Sequence, residues 1–263
     1  MGLITEQYKD SSNFVARIEL NRKFSTNPQP LTRWLFDQMD FQKSSRVLEL
    51  GCGNAILWRT NKDKIVSDEK IVLTDFSEGM LDDAKKVLGS LRDRFEFKVM
   101  DAENISFPEN SFDIVIANLM LYHVPNRKEA FNQITKVLAD NGLFYASTFG
   151  RNNMKELNEL VQEFYPQLNS LETLSNRFGL ENGKSQLEDY FEKVTMTEYH
   201  DHLEITDAQP VIEYFLSFAG NKSVLKPDKL DAMKTCINEV IEDNGFMKVT
   251  KETGLFRARY PFK

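Results

Sequence analysis

Residues 46–55 read RVLELGCGNA, and the fold follows from how that stretch is divided. RVLEL is a short apolar run of strand length, and the two glycines behind it close the run with a tight turn. From Ile56 the apolar positions take helical spacing. Glycine lets the chain reverse and lets a ligand approach the backbone, and the first N–H groups of the following helix face outward without intrahelical partners. The unit is therefore strand, glycine turn, helix. It departs from the full dinucleotide fingerprint, whose third glycine would stand at Ile56, and it lacks the Lys-Ser/Thr that ends a P-loop. Taken alone, the loop fits a bare turn as well as a nucleotide cradle.

The same alternation continues downstream. KIVLTD (70–75) predicts a second buried strand, and Ser77 caps a helix with Met80, Leu81, Ala84, Val87, Leu88 and Leu91 on its apolar face. FEFKVM (95–100) is the third strand. FDIVIAN (112–118) is a fourth, apolar almost throughout and so covered on both faces. Asn126 caps the next helix, and Asn141-Gly142 turns into LFYASTF (143–149), the fifth strand. Upstream, two amphipathic helices precede the sheet, the second begun by Pro30. Beyond Gly150 the pattern turns mostly helical, with segments at about 154–164, 170–178, 185–191, from Thr206 or Asp207 to Phe218, and 228–243. VTMTEY (194–199) reads as a strand, and LFRARYPF (255–262) is expected to close the sheet at an antiparallel edge. The fold class is α/β, a Rossmann-like and mostly parallel sheet of about seven strands with helices on both faces. Residues 1–263 read as one domain: N-terminal helices (1–44), a ligand-binding core (45–150), then helical insertions and closing strands (151–263).

Composition narrows the function. A chain of 263 residues with 41% hydrophobic and 28% charged content is ordinary globular material, and its net charge of -7 repels a phosphate backbone. Nucleic acid is thus a disfavoured partner. MGLITEQYKD has no secretory pattern, Glu6 stands where a myristoylation site needs Ser or Thr, and no run approaches membrane-spanning length. Two cysteines, Cys52 and Cys236, are too few for a disulfide scaffold or zinc knuckle, so a cytoplasmic setting is expected.

Asp75 ends the second strand 24 residues after Gly51, where a carboxylate can take both hydroxyls of an adenosine ribose. Asp101-Ala102 ends the third strand at the same crevice: a carboxylate there accepts from an adenine amino group while the next N–H donates to a ring nitrogen. Met80 either lies on the adenine face or is plain core. With these residues in place the chain resembles the class I S-adenosylmethionine-dependent methyltransferases, in particular the small-molecule branch similar to the ubiquinone and menaquinone biosynthesis enzymes. The resemblance spans about residues 45–150 through VLELGCGNA, LTDFSEGML, VMDAENISFPENSFDIVIANLMLYHVPN and VLADNGLFYASTF. It implies S-adenosylmethionine as cofactor and a small-molecule acceptor. It further implies that Glu49, Gly51 and Gly53 shape the methionine-side loop, that Asp75 binds ribose, and that Phe76 and Met80 pack on adenine. Asp101 and Ala102 would read the adenine edge, and Asn118 and Leu119 approach the methionine moiety. Where the family often has glycine, this chain has Ala55.

Such a site works by proximity, alignment and desolvation around an in-line displacement. A hydroxyl or acidic-carbon acceptor also needs a base, for which His123 is the candidate, with Tyr122 beside it to orient the acceptor. The plain alternative for His123 is a structural loop residue. A nicotinamide-dependent oxidoreductase also fits glycine loop plus acid, yet no tyrosine has a lysine four residues later. Asn118 opens Asn-Leu-Met-Leu, unlike the Asn-Pro-Pro-aromatic motif of amino-group DNA methyltransferases. A non-catalytic adenosyl-ligand-binding protein remains as the third alternative. His200 and His202 lack a third ligand, so no metal site is expected.

Overall fold

FDIVIAN occupies the middle of the sheet and has cover on both faces. Val115 and Ala117 are buried in one hydrophobic cluster, and Ile114 and Ile116 in another. A strand whose alternate side chains enter two different cores cannot alternate apolar with polar, which is why its run from Ile114 to Ala117 is unbroken apolar. The computed structural model describes residues 12–65, 70–166, 172–218 and 221–263. The amino-terminal stretch MGLITEQYKD used above to judge targeting lies outside them.

In chain order the elements are α1 (Ser12–Phe24), α2 (Leu31–Asp37), β1 (Arg46–Leu50), α3 (Ile56–Thr60), β2 (Lys70–Asp75), α4 (Glu78–Leu88), β3 (Phe95–Val99), β4 (Phe112–Asn118), α5 (Arg127–Val137) and β5 (Leu138–Phe149). The rest are α6 (Lys155–Phe164), α7 (Glu172–Ser175), α8 (Gly183–Glu188), β6 (Phe191–Tyr199), β7 (His202–Ile205), α9 (Gln209–Leu216), α10 (Asn221–Val224), α11 (Pro227–Asn244), β8 (Met247–Thr250) and β9 (Thr253–Pro261). Seven strands form one sheet in the order β3-β2-β1-β4-β5-β9-β6. The first five run parallel, and β9 is antiparallel to both β5 and β6. The order reverses between β1 and β4, and ligands of open α/β sheets bind beyond the carboxyl ends of strands at that reversal.

Three cores hold the molecule. Phe131, Ile134, Phe144 and Phe256 anchor one face of the sheet, and Leu35, Phe36, Trp58 and Leu81 anchor the other. The third core lies apart from the sheet and is built from Leu20 of α1, Leu157 of α6, Leu203 of β7, Val211 of α9, Met233 of α11 and Val249 of β8. Each such side chain, fully buried, stabilises the fold by roughly 1.5–3 kcal/mol relative to exposure. The expected helix caps are present: Ser77 Oγ accepts from Met80 N–H, and Asn126 Oδ1 from Glu129 N–H.

Four elements differ from the sequence expectation. LFRARYPF does not form the edge: β9 inserts between β5 and β6, because β6 pairs along its whole outer side. β5 starts at Leu138, opposite Phe112, before the Asn141-Gly142 turn, and the register then shifts to Ile114 opposite Leu143. The helix expected from Ile56 to about Ile65 stops at Thr60. The strand expected to continue through His200 and His202 breaks after Tyr199, and His202 opens β7, which pairs with β8 in a separate two-stranded sheet. The break is held by Asp201, whose carboxylate accepts from Ser25 Oγ and from the N–H groups of Thr26, Asn27 and His202. His202 accordingly spends its ring on Thr26 Oγ1 and Glu204. Among the described residues no group of three or more His, Cys, Asp or Glu is placed to hold a metal, and no helix is long and apolar enough to cross a membrane.

Candidate active site

Beyond β1 the backbone turns left-handed at alternate positions, with φ of 64° at Gly51, 56° at Gly53 and 58° at Ala55. A non-glycine residue in this region costs roughly 1–2 kcal/mol, a strain that this chain carries at Ala55. The turn is fastened to the neighbouring strand by Asp75. One carboxylate oxygen accepts the Gly53 N–H at 2.9 Å and the other the Ser77 N–H at 2.9 Å. Burial raises the Asp75 carboxyl above its ordinary range, against the pull of the Ser77, Gly53 and Phe76 N–H groups.

Glu49 is a carboxyl set inside the sheet, 2% exposed. Its Oε2 accepts from Trp58 Nε1 at 2.6 Å and its Oε1 from Asn118 Nδ2 at 3.4 Å. Burial, helped by the charge of Asp75, pushes it up to about 7, while the two hydrogen bonds oppose the rise. Asn118 in turn accepts from Ser147 Oγ at 3.0 Å, and the Ser147 hydroxyl and carbonyl both receive the Leu119 N–H at 3.1 Å. That anchor holds Leu119 at a φ of 50°. The left-handed step lays Met120 over the glycine loop, where a Cβ added at Gly51 would stand 3.0 Å from Met120 Cβ.

At the other end of the crevice, Phe76 is 59% exposed and Val99 is 57% exposed. Val99 stands opposite Asp75 in the β2–β3 register, so two bare apolar side chains flank that acid. Met80 is 2% exposed and belongs to the interior. Asp101 accepts the Glu103 N–H at 2.9 Å, and Ala102 is buried beside it.

Past β4 the chain makes a 3-10 turn over Leu121–His123, closed by His123 N–H to Met120 O at 2.9 Å. Tyr122 is buried between His123, 4.6 Å away ring to ring, and Phe149, at 4.7 Å. His123 is pushed down to about 4 by burial and then by the charges of Arg17 and Arg177. Arg177 donates to the Tyr122 carbonyl at 3.3 Å, and Arg17 donates to the Ser217 hydroxyl and carbonyl while lying over the Phe218 ring at 4.4 Å.

The structure thus links Glu49, Gly51, Gly53, Asp75 and Asn118 through direct contacts and neighbouring turns, and places Phe76, Asp101 and Ala102 at adjoining strand ends. Tyr122 and His123 follow Met120 in the turn that His123 N–H closes on the Met120 carbonyl. Trp58, Val99, Met120, Ser147, Arg17 and Arg177 were not singled out by the sequence. Only Val99 carried a signal: the alternation of FEFKVM puts it in the Phe95–Phe97 row, one step past the helix that covers them.

These residues fit S-adenosylmethionine. A carboxylate held at the end of β2 suits a diol, the uncovered Phe76 and Val99 suit a flat aromatic base, and the loop at Gly51 admits a close approach that a side chain would block. A doubly wound sheet with these groups at its reversal defines an S-adenosylmethionine-dependent methyltransferase. The chain belongs to the methyltransferase-domain family, whose model matches residues 41–214. It is similar to malonyl-[acyl-carrier protein] O-methyltransferase 2 of Ilyobacter polytropus, at 27% identity over 68% of this chain and 71% of that one. It is also similar to demethylmenaquinone methyltransferase of Staphylococcus epidermidis, at 32% identity over 40% of this chain and 43% of that one, so this second match spans less than half of either protein. Phosphoethanolamine N-methyltransferase 2 of Haemonchus contortus, solved with phosphomonomethylethanolamine and S-adenosylhomocysteine, shares the fold at a TM-score of 0.56 and 17% identity, over 99% of this chain and 59% of that one. The protein is a methyltransferase of the small-molecule branch.

Proposed function

We propose that the chain methylates a small molecule whose attacking atom needs no deprotonation by the protein, with His123 acting as a neutral positioning group. The reading is supported by the packing of the His123 ring against the buried Tyr122 ring at 4.6 Å, in a turn closed on the Met120 carbonyl, an enclosure that pushes its pKa down to about 4. A general base works best with a pKa near the working pH. A ring that holds a proton only below about pH 4 drives proton removal from a hydroxyl poorly, while it can still donate or accept a hydrogen bond. A base at His123, as expected from the sequence, is the competing role.

In this reading the donor supplies a methyl group already activated on a sulfonium. Asp75 holds the ribose hydroxyls, Phe76 and Val99 face the adenine, Asp101 and Ala102 meet its edge, and Met80 supports Phe76 from within. Gly51, Gly53, Glu49, Asn118 and Leu119 set the methionine end, and Met120 slides off the glycine loop to admit it. Tyr122 and Phe149 form an apolar wall that excludes water on the acceptor side. We place the whole of residues 1–263 in one working unit, in the reducing cytoplasm, consistent with the free thiols of Cys52 and Cys236, and acting without nucleic acid.

The test is the pH dependence of kcat at saturating donor, with S-adenosylhomocysteine formation as the readout. The expected profile shows no histidine limb between pH 5 and 8 in the wild type, and His123→Gln keeps its shape while turnover falls. A wild-type limb near pH 6–7 that His123→Gln abolishes would restore the histidine as base. Calorimetric titration adds a check on the donor, which is expected to bind where NAD does not.

A further inference from the structure

β9 carries Arg257 and Arg259 two residues apart, and the strand register sets Lys193 of β6 directly across from Arg259. On the other side of β9 the partners are Tyr145 and Leu143 of β5, so this is the sheet face that α2 and α3 pack against. Cβ atoms directly opposite in an antiparallel pair stand about 5 Å apart, and two steps along a strand cover about 7 Å. Three cationic side chains therefore rise side by side from one face. Like charges set directly opposite destabilise a strand pair, and little here offsets them. Arg257 reaches the Asp40 carboxylate at 3.2 Å. The side chains of Arg259 and Lys193 make no ion pair and no hydrogen bond among the described residues. The Nε–H groups of Arg257 and Arg259 are both buried without an acceptor, and a charged donor left unsatisfied is costly. Arg259 lies over the ring of Tyr260, 5.6 Å from its centre, and that ring belongs to a residue 40% exposed.

A guanidinium presents its N–H donors in a planar fork that fits a phosphate, and an ammonium adds a compact point charge. Three cations against the Asp40 carboxylate leave an excess of two positive charges on this face. A phosphate monoester carries about two negative charges above its second pKa and three strong acceptor oxygens. In a protein of net charge -7, this face is complementary to such a dianion in both charge and donor geometry.

We propose that Arg257, Arg259 and Lys193 bind a soluble phosphate monoester, its dianion held between the two guanidinium groups and the ammonium, and its organic part against the Tyr260 ring. The ligand removes the repulsion across β6 and β9 and supplies the acceptors that the protein does not. The site lies away from the crevice. Leu143, the β5 partner of Arg259, pairs with Ile114 near the start of β4, whereas Asn118 and the glycine loop stand at the carboxyl ends of their strands. It is therefore a second site, independent of the donor and acceptor positions proposed above.

The experiment titrates the full chain by calorimetry in excess S-adenosylhomocysteine, at about pH 8, where a phosphate monoester is a dianion. The probes are phenyl phosphate and phenyl sulfate, matched in shape, the second a monoanion. Phenyl phosphate is expected to bind about 10-fold more tightly than phenyl sulfate. Arg259→Ala and Lys193→Thr are each expected to weaken phenyl phosphate roughly 10-fold or more, the worth of a charged hydrogen bond, with Arg259→Lys intermediate. Lys193 is exposed, so its replacement leaves the fold intact. Without ligand, Lys193→Thr is expected to melt at or above the wild-type temperature, because a like-charge pair has been removed. Phosphatidylcholine vesicles carrying phosphatidate present the same phosphoryl group on a lipid, and they are expected not to retain the protein. Equal affinity for the two probes, or phenyl phosphate binding unchanged in both Arg259→Ala and Lys193→Thr, overturns the proposal. Retention on the vesicles without binding of phenyl phosphate overturns it too, as does a lowered melting temperature in unliganded Lys193→Thr, which makes the lysine a structural residue.

Discussion

Under the proposed function Glu49 lies at the methionine end of the positively charged donor, and its own charge state is undecided at neutral pH. Its carboxyl is pushed up to about 7 from an ordinary 4.5, a difference that corresponds to about 3 kcal/mol favouring the protonated form in the folded protein. The sign follows directly. Because the folded pKa is raised, the stabilisation is complete below about pH 4.5 and is lost as pH rises toward 7. A sulfonium close by reverses the preference, since an opposite charge favours the ionised acid. Donor binding at pH 7 is therefore expected to release roughly half a proton, rising toward one near pH 5.5 and vanishing above about pH 8.5. The assay is calorimetric titration of S-adenosylmethionine in buffers of different ionisation heat, whose slope gives the proton count. Glu49→Gln keeps an acceptor for Trp58 Nε1 and removes the titrating group, so its slope is expected to be near zero and its stability flat between pH 4.5 and 7. Heats independent of buffer from pH 6 to 8 in the wild type, or a Glu49→Gln protein that releases as many protons, would refute the reasoning.

Trp58→Phe removes the 2.6 Å donor to Glu49 and is expected to move the proton-release midpoint upward, read in the same titrations. Asp75→Asn replaces an acceptor for the Gly53 and Ser77 N–H groups with a second donor. It is expected to lower donor affinity roughly 10- to 150-fold and to lower the melting temperature as well, and unchanged affinity would leave Asp75 as a loop fastener only. Gly51→Ala meets both a left-handed backbone and Met120. A loss of about 1–2 kcal/mol is expected in denaturant titration, of which Met120→Ala restores only the steric share.

The strand and loop half of this picture was legible because each signal is local. RVLEL followed by GCG states a buried strand and a turn within ten residues, and Ser77 and Asn126 cap their helices through bonds three residues long. Asp75 was legible for a related reason: a strand end in a parallel sheet has one destination. The surroundings of His123 were hidden from the sequence, since Arg17 and Arg177, whose charges add to burial in lowering its pKa, come from segments more than 50 residues away. The place of β9 inside the sheet was out of reach for the same reason. LFRARYPF alternates equally well as an edge or an inner strand, and only the partner it meets, β6, decides. Val99 looked like one more apolar residue of a strand until its register opposite Asp75 was known.

The third hydrophobic core has a consequence for how such a protein changes over generations. The interior of α1, α6, α9, α11, β7 and β8 shares none of its buried residues with the two cores that carry the glycine loop and Asp75. Substitutions that repack it combine additively with changes in the sheet, as those of separated sites do. A lineage can therefore reshape Ser217, Phe218 and the helix that presents Arg17 while the glycine loop and Asp75 keep their geometry and their share of the stability. Under the proposed function, change confined to this third core leaves in place the residues proposed to hold the methyl donor.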